Sequence, residues 1–215
     1  NQPRSERDRV VGRPQNAKEA WRVLVEGNHN FISGTPAHPR QDADVRRALV
    51  NKQKPFAALF GCSDSRLAAE MIFDVGLGDL FVVRNAGQVI AETILGSLEF
   101  AVEVLNVPLI LVLGHDECGA VRAAMDAASG QLELEGEFIH NLVDRMMPTL
   151  ERSRALGETS IDDITSRHVA DTIQELLERS KVISDAVKTG KLAVVGANYK
   201  LELGDIHMVV SHGDL

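Results

Sequence analysis

The sequence predicts an α/β fold in which helices flank a central, mostly parallel β-sheet that carries an antiparallel edge strand. Short apolar runs bounded by Gly and Pro alternate with amphipathic helical segments along most of the 215 residues. This alternation is typical of parallel strands joined by right-handed helical crossovers. In addition, the only two cysteines of the chain each follow the end of such an apolar run. Residues placed there collect at one edge of a parallel sheet, where sites in open α/β folds usually form.

Residues 16–51 are predicted to form an N-terminal helical arm that precedes the sheet. Asn16 and Glu19 form the pattern of a capping box, and one apolar helical face follows them. This helix either covers its own sheet or packs across a partner subunit, and the residues alone leave both possibilities open. A second helix is predicted over 42–51. Residues 1–15 are charged and are expected to form a flexible tail.

Residues 55–212 are predicted to form the α/β core, and no linker or repeat divides it, so the chain 1–215 is expected to be a single domain. The strands are predicted at 56–60, 80–84, 109–113, 192–197 and 206–210, the last as the edge strand. The helices are predicted at 67–73, 91–106, 120–128, 138–150 and 161–188. The last of these is longer than a usual globular helix, so a break inside it is expected.

Composition excludes several classes of function. A net charge of −8 argues against a nucleic-acid partner, because phosphate binding requires a basic face. No apolar run is long enough to cross a membrane. The charged start lacks the apolar core of a secretory signal peptide. Two cysteines without an export signal predict reduced thiols and a cytoplasmic location.

Cys62, His115 and Cys118 together predict a zinc site. Two thiolates and an imidazole are donors that zinc prefers, and the spacing of His115 and Cys118 allows both to reach one ion. The N-terminus of the following helix is expected to favour the thiolate form of Cys118. Three protein ligands leave one tetrahedral position open, as in catalytic zinc sites. The competing interpretation is a disulfide between the two cysteines.

The pattern Cys62-x-Asp64-Ser65-Arg66, followed by His115-x-x-Cys118-Gly119, resembles the signature of the β-class carbonic anhydrases. The stretch 79–87 and the order of elements from about Asn16 to His212 are also similar to that family. The resemblance implies one Zn²⁺ per chain, held by the two cysteines and the histidine. It also implies that Asp64 and Arg66 form the catalytic dyad. In some family members this aspartate binds zinc as a fourth ligand in a closed state, and the sequence leaves both the open and the closed resting state possible for Asp64.

By the same resemblance, the expected reaction is the reversible hydration of carbon dioxide to bicarbonate and a proton, through attack of zinc-bound hydroxide. Gln53, Phe81 and Phe100 fall where family members line the substrate pocket. The family is dimeric or built of dimers, so a homodimer or a dimer of dimers is expected, and the resemblance favours a helical arm that crosses a partner subunit. A pocket completed across that interface would place Gln53 or Phe81 beside a neighbour's zinc.

Other functions compete with this one. His115-Asp116-Glu117 matches half of the zinc-deaminase pattern, but the P-C-x-x-C half is absent. A related small linear substrate such as carbon disulfide is a second alternative, and a non-catalytic scaffold stabilised by zinc is a third. The remaining histidines are predicted to be surface or structural residues: His29, His38, His140, His168, His207 and His212.

Overall fold

The computed structural model describes residues 13–215, and most of the predicted tail, residues 1–12, lies outside that part. The α/β fold is confirmed. Five strands form one sheet in the order β2-β1-β3-β4-β5; the first four are parallel, and β5 runs antiparallel to β4. The strands are β1 Ala57–Cys62, β2 Leu80–Asn85, β3 Leu109–His115, β4 Ala193–Tyr199 and β5 Ile206–His212.

Eight α-helices and a 3₁₀ turn accompany the sheet within residues 13–215. The helices are α1 Ala17–Ile32, α2 Ala43–Ala48, α3 Ala69–Ile72, α4 Glu92–Glu103, α5 Gly119–Ala128, α6 Glu137–Ala155, α7 Ile161–Arg179 and α8 Lys181–Lys188. The 3₁₀ turn, Ala86–Gln88, follows β2 directly. In the described part of the chain, no helix combines the length and the hydropathy that a bilayer crossing requires.

The helix predicted over 161–188 is interrupted at Ser180, as its length suggested. Ser180 has φ −104° and ψ 106°, outside the helical region, and separates α7 from α8. Its hydroxyl oxygen accepts a hydrogen bond from the backbone N–H of Ile183 at 3.2 Å and its O–H donates to Glu99 at 2.7 Å. The serine therefore caps the start of α8 while it attaches this break to α4.

Side chains of the central strands alternate between two buried layers. Leu109, Leu111 and Leu113 pack on the side of α1 and α3, whereas Ile110 and Val112 pack on the side of α4, α7 and α8. All residues of β1, β3 and β4 are buried, because helices cover both faces of the parallel part of the sheet.

Helix α1 covers its own sheet, which is the first of its two predicted packings. Ala17, Ala20 and Leu24 are buried in the same cluster as the strands. Asn16 caps the helix, since its Oδ1 accepts the backbone N–H of Glu19 at 2.9 Å. A Cβ atom at Gly27 would lie 1.7 Å from the Phe73 carbonyl oxygen, so only glycine permits this approach of α1 to the end of α3.

The neighbouring strands β1 and β3 define the point from which the sheet grows in two directions. The chain passes from β1 to β2 on one side, and from β3 to β4 on the other. Ligand sites of open α/β sheets form at such a switch point, outside the carboxyl ends of the strands. Cys62 is the last residue of β1 and His115 is the last residue of β3.

Candidate metal centre

Cys62, His115 and Cys118 come together at this switch point, as the two sequence motifs predicted. Cys118 lies at the N-cap of α5, three residues after the end of β3. The sulfur atoms and an imidazole nitrogen lie within 4.8 Å of one another, and all three residues are buried. This is a cluster of side chains that could hold a metal ion.

The imidazole of His115 is oriented for metal binding. Its Nδ1 lies 2.8 Å from the backbone oxygen of Asp116. A carbonyl oxygen can only accept, so this contact assigns the proton to Nδ1 and leaves the lone pair on Nε2. Nε2 is buried and has no hydrogen-bond partner among residues 13–215. A backbone carbonyl that holds the other ring nitrogen is the usual arrangement for a metal-binding histidine.

The two cysteines are free, so the disulfide alternative is not present in the structure. The hydrogen bond from the Cys118 thiol lowers the pKa of Cys62, against the opposing effect of burial. The backbone N–H of Gly87 also donates to the Cys62 Sγ, at 3.3 Å. The Cys62 thiolate and burial raise the pKa of Cys118. The pair therefore shares one proton, which metal binding would displace.

The N-terminus of α5 favours the thiolate form of Cys118, as expected, but it is not the only influence on this sulfur. Backbone N–H groups of Ala120 and Val121 do lower the pKa of Cys118. Their effect is smaller than the combined effect of burial and of the nearby Cys62 thiolate. The position of a thiolate in a pair depends on both environments, and the helix N-terminus is only one part of them.

Asp64 lies beside the cluster and is paired with Arg66. The Arg66 Nε donates to Oδ1 at 2.9 Å and Nη2 donates to Oδ2 at 2.7 Å. These hydrogen bonds hold the pKa of Asp64 well below its usual range. Arg66 also donates to the Glu117 carbonyl oxygen at 3.1 Å, which connects the two motifs. The structure therefore has Asp64 in its arginine-bound orientation.

Arg84 organises the same loop, a role that was not predicted from the sequence. Its Nε donates to the carbonyl oxygen of Cys62 at 2.8 Å, and its Nη2 donates to that of Asp64 at 2.7 Å. Arg84 immediately precedes Asn85, and Asn85 is the register partner of Cys62 in the pairing of β1 with β2. The only sequence signal was its place within the stretch 79–87 that resembles the family.

The 3₁₀ turn after β2 contains Gly87 and is held by His168 of α7. Gly87 has φ 76°, a left-handed conformation that favours glycine. His168 Nε2 lies 2.8 Å from the Gly87 carbonyl oxygen. His168 was predicted to be either a surface or a structural residue. It is a structural one, because it is only 8% exposed and contacts the Gly87 backbone. No local pattern marked this contact, since the two residues are 81 positions apart.

Gln53, Phe81 and Phe100 lie away from the cluster of their own chain. Gln53 is exposed in the loop before β1, at the opposite end of that strand from Cys62. Phe81 pairs in register with Ala58, four residues before Cys62, which corresponds to about 13 Å along a strand. The rings of Phe81 and Phe100 contact each other, with centroids 6.0 Å apart. Their pocket roles stay predictions.

Comparisons with known proteins agree on one family. A family model described as carbonic anhydrase matches residues 57–206. Carbonic anhydrase 2 of Mycobacterium tuberculosis strain H37Rv is 50% identical over 189 residues, covering 88% of this chain and 91% of that protein. Carbonic anhydrase of Mycolicibacterium smegmatis is 44% identical over 200 residues, covering 93% and 97%. The β-carbonic anhydrase CafA of Aspergillus fumigatus has a similar structure, with TM-score 0.67, 26% identity, and 77% and 80% coverage.

Proposed function

This chain belongs to the β-class carbonic anhydrases, and on that premise we propose that it uses one zinc ion to hydrate carbon dioxide reversibly to bicarbonate and a proton. The activity is that of a carbonate dehydratase, a lyase. The observation that carries the proposal is the convergence of Cys62, His115 and Cys118 beside the Asp64–Arg66 pair.

The donor set supports zinc as the metal. Two sulfurs and the free nitrogen of a neutral imidazole suit this borderline-soft ion, and three protein ligands leave one tetrahedral position for a reactant. When bound, zinc would acidify a water molecule to a hydroxide that can attack carbon dioxide. The buried Nε2 of His115, which has no other partner among residues 13–215, supports this assignment most directly.

Asp64 is proposed to orient the nucleophile. A carboxylate whose pKa is held low remains an acceptor across the neutral pH range, so it can take a hydrogen bond from the attacking oxygen and direct a lone pair toward carbon. Its Oδ2 lies 3.9 Å from Nε2 of His115, close to the metal-facing side of the cluster. Arg66 holds both carboxylate oxygens and thereby keeps Asp64 from becoming a fourth ligand.

The assembly is proposed to be a homodimer or a dimer of dimers. Gln53, Phe81 and Phe100 lie far from the cluster of their own chain, which supports a pocket that a partner subunit completes. The ring of Phe100 contacts Phe81 and is 43% exposed, so it is available to a partner. We further propose a single domain over 1–215, with the arm at 16–51 and the core at 55–212, and a cytoplasmic location where both thiols stay reduced.

Zinc content and carbon dioxide hydration, measured on the same preparation, test the proposal. One zinc per chain and a hydration rate that a chelator abolishes and added zinc restores are expected. A chain that holds one zinc and does not hydrate carbon dioxide would contradict the enzyme assignment and favour the scaffold. Turnover of carbon disulfide by that same preparation would instead identify the related substrate. A preparation that binds no zinc would contradict the metal assignment.

A further inference from the structure

We infer that His168 is a positioning residue for the metal centre, and that it acts on the Cys62 sulfur through the backbone of Gly87. His168 belongs to α7, far along the chain from both metal-binding motifs. The inference deepens the proposed function, because its consequence for zinc rests on the metal site proposed above. The hydrogen-bonded chain itself exists in the structure independently of any metal.

Gly87 uses both of its backbone polar groups in this chain. Its N–H donates to the Cys62 Sγ at 3.3 Å, and its carbonyl oxygen accepts from His168 Nε2–H at 2.8 Å. All three residues are buried: Cys62 is 6% and His168 is 8% exposed, and Gly87 lies in the same buried turn. Two successive hydrogen bonds therefore link α7 to the candidate thiolate ligand without an intervening solvent-exposed group.

The backbone of Gly87 needs an external constraint if its N–H is to stay directed at the Cys62 sulfur. With φ 76°, Gly87 occupies a conformation that only the absence of a Cβ makes easy, and glycine has the widest choice of other conformations. A Cβ there would lie 1.9 Å from Met146 Cε and 3.0 Å from the Ala120 Cβ, so apolar side chains close one side of the turn. Apolar packing limits the space around Gly87 but does not orient its peptide groups, because it is not directional. The hydrogen bond from His168 to the Gly87 carbonyl oxygen supplies that orientation.

The expected consequence concerns the electron density on Cys62. An N–H group that points at a thiolate stabilises it and fixes the sulfur lone pairs, and partners of this kind typically change metal affinity by about 10–100-fold. Loss of the His168 donor leaves the Gly87 carbonyl oxygen buried without its partner. The Gly87 N–H is then no longer held in its orientation toward the Cys62 sulfur. We expect zinc affinity to fall by about tenfold.

The test compares His168→Leu, which removes the donor, with His168→Gln, whose terminal amide can occupy the place of Nε2 and donate to the same carbonyl. Ile173→Val is the matched control, since Ile173 is fully buried on the same helix and packs toward Gly196 of β4. Each full chain is measured for zinc affinity by chelator competition, for the thiolate-to-cobalt absorption of the Co²⁺ form, and for hydrogen exchange of the Gly87 amide with and without metal.

His168→Leu is expected to weaken zinc binding by about tenfold, to shift the cobalt–thiolate band and to accelerate Gly87 exchange, whereas His168→Gln and Ile173→Val stay near the wild type. If His168→Leu and Ile173→Val behave alike in Gly87 exchange and zinc affinity, the inference is overturned. His168→Asn, whose amide is too short to reach the carbonyl, replaces the leucine variant if that one does not fold. A wild-type chain that binds no zinc contradicts the proposed function, while Gly87 exchange still decides this inference.

Discussion

The Oδ2 atom of Asp64 lies 3.9 Å from Nε2 of His115, the imidazole nitrogen that has no hydrogen-bond partner among residues 13–215. The same carboxylate is held by two side-chain hydrogen bonds from Arg66. Asp64 is therefore close enough to the cluster to contact a reactant bound there. Its carboxylate is nevertheless hydrogen-bonded to Arg66, which is not part of the cluster.

Replacement of Asp64 by Asn tests its role as an acceptor. The amide keeps the size of the side chain but lacks the charge, so hydration should fall by about a hundredfold or more, while zinc content stays at one per chain. Stopped-flow hydration and metal analysis of the same sample measure both quantities. Glu133→Gln, an exposed acidic residue between α5 and α6, is the control for charge. Loss of zinc from the Asn variant would mean that Asp64 is a structural ligand.

Replacement of Arg66 by Ala should free the Asp64 carboxylate. Without its guanidinium partner the carboxylate can turn toward the metal and close the fourth position, so zinc is retained while hydration is lost. Azide added to the Co²⁺ form should then change the absorption spectrum of the wild type and leave that of the variant unchanged. An equal response to azide in both proteins would show that Arg66 does not keep the position open.

Replacement of Cys62 by Ala should remove the metal. The cluster would keep only one sulfur and one nitrogen. Loss of residues that hydrogen-bond to metal ligands typically lowers metal affinity about 10–100-fold, and loss of a ligand itself should lower zinc affinity further. Competition with a chelator gives the affinity, and Cys118→Ala is expected to behave similarly. A Cys62→Ala chain that retains zinc at wild-type affinity would remove Cys62 from the ligand set.

The stability of the metal-free protein should depend on pH through His168. Burial lowers the pKa of His168, while the Gly87 carbonyl and the carboxylates of Asp171 and Glu175 oppose that effect. The unfolded chain therefore binds more protons than the folded one, so this contribution is fully present above about pH 6.5 and is lost as the pH falls below it. Urea midpoints from about pH 7.5 to about pH 5 measure the loss.

The matched variant for that measurement is His168→Gln, which cannot take up a proton at this position. Other histidines titrate in both proteins, so the difference between the two pH profiles isolates His168. The free energy of unfolding of the wild type should decrease more steeply on acidification. Parallel profiles would contradict the burial-lowered pKa.

Two glycine variants should have opposite effects on stability. Gly87→Ala places a Cβ on a left-handed residue, which costs about 1–2 kcal/mol, and forces the Met146 side chain to move. Gly96→Ala, inside α4 with no atom within 4 Å of the new Cβ, should stabilise the protein by about 0.5–1 kcal/mol. Thermal or urea unfolding distinguishes them, and equal effects would contradict the account of the 3₁₀ turn.

Most of the fold could be predicted from the sequence because its signals are local. Alternating strand and helix periodicity located the five strands that the structure has within residues 13–215, and β5 is the antiparallel edge strand, as predicted. Helix boundaries were less accurate: α3 is shorter than the predicted 67–73, and α6 extends five residues beyond the predicted end at 150, to Ala155. The chain before α3 instead forms a turn in which the Leu67 N–H donates to the Asp64 carbonyl oxygen at 3.1 Å.

The sequence by itself determined which side chains could meet a metal. Cys62 and the pair His115 and Cys118 follow adjacent parallel strands, so the sheet brings their motifs to one edge whatever the details of packing. The pairing of Asp64 with Arg66 could also be predicted from the sequence, since the two residues are only two positions apart.

Only the tertiary structure decided how these side chains are held. It placed the backbone N–H of Gly87 against the Cys62 sulfur, at 3.3 Å, and the Cys118 sulfur close to that of Cys62. It also placed His168 behind the glycine, 81 residues away in the chain. Periodicity and spacing describe neighbours along the chain, whereas a buried donor and its acceptor become neighbours only when helices pack against the sheet. The electrostatics of the site are therefore a property of the packed core.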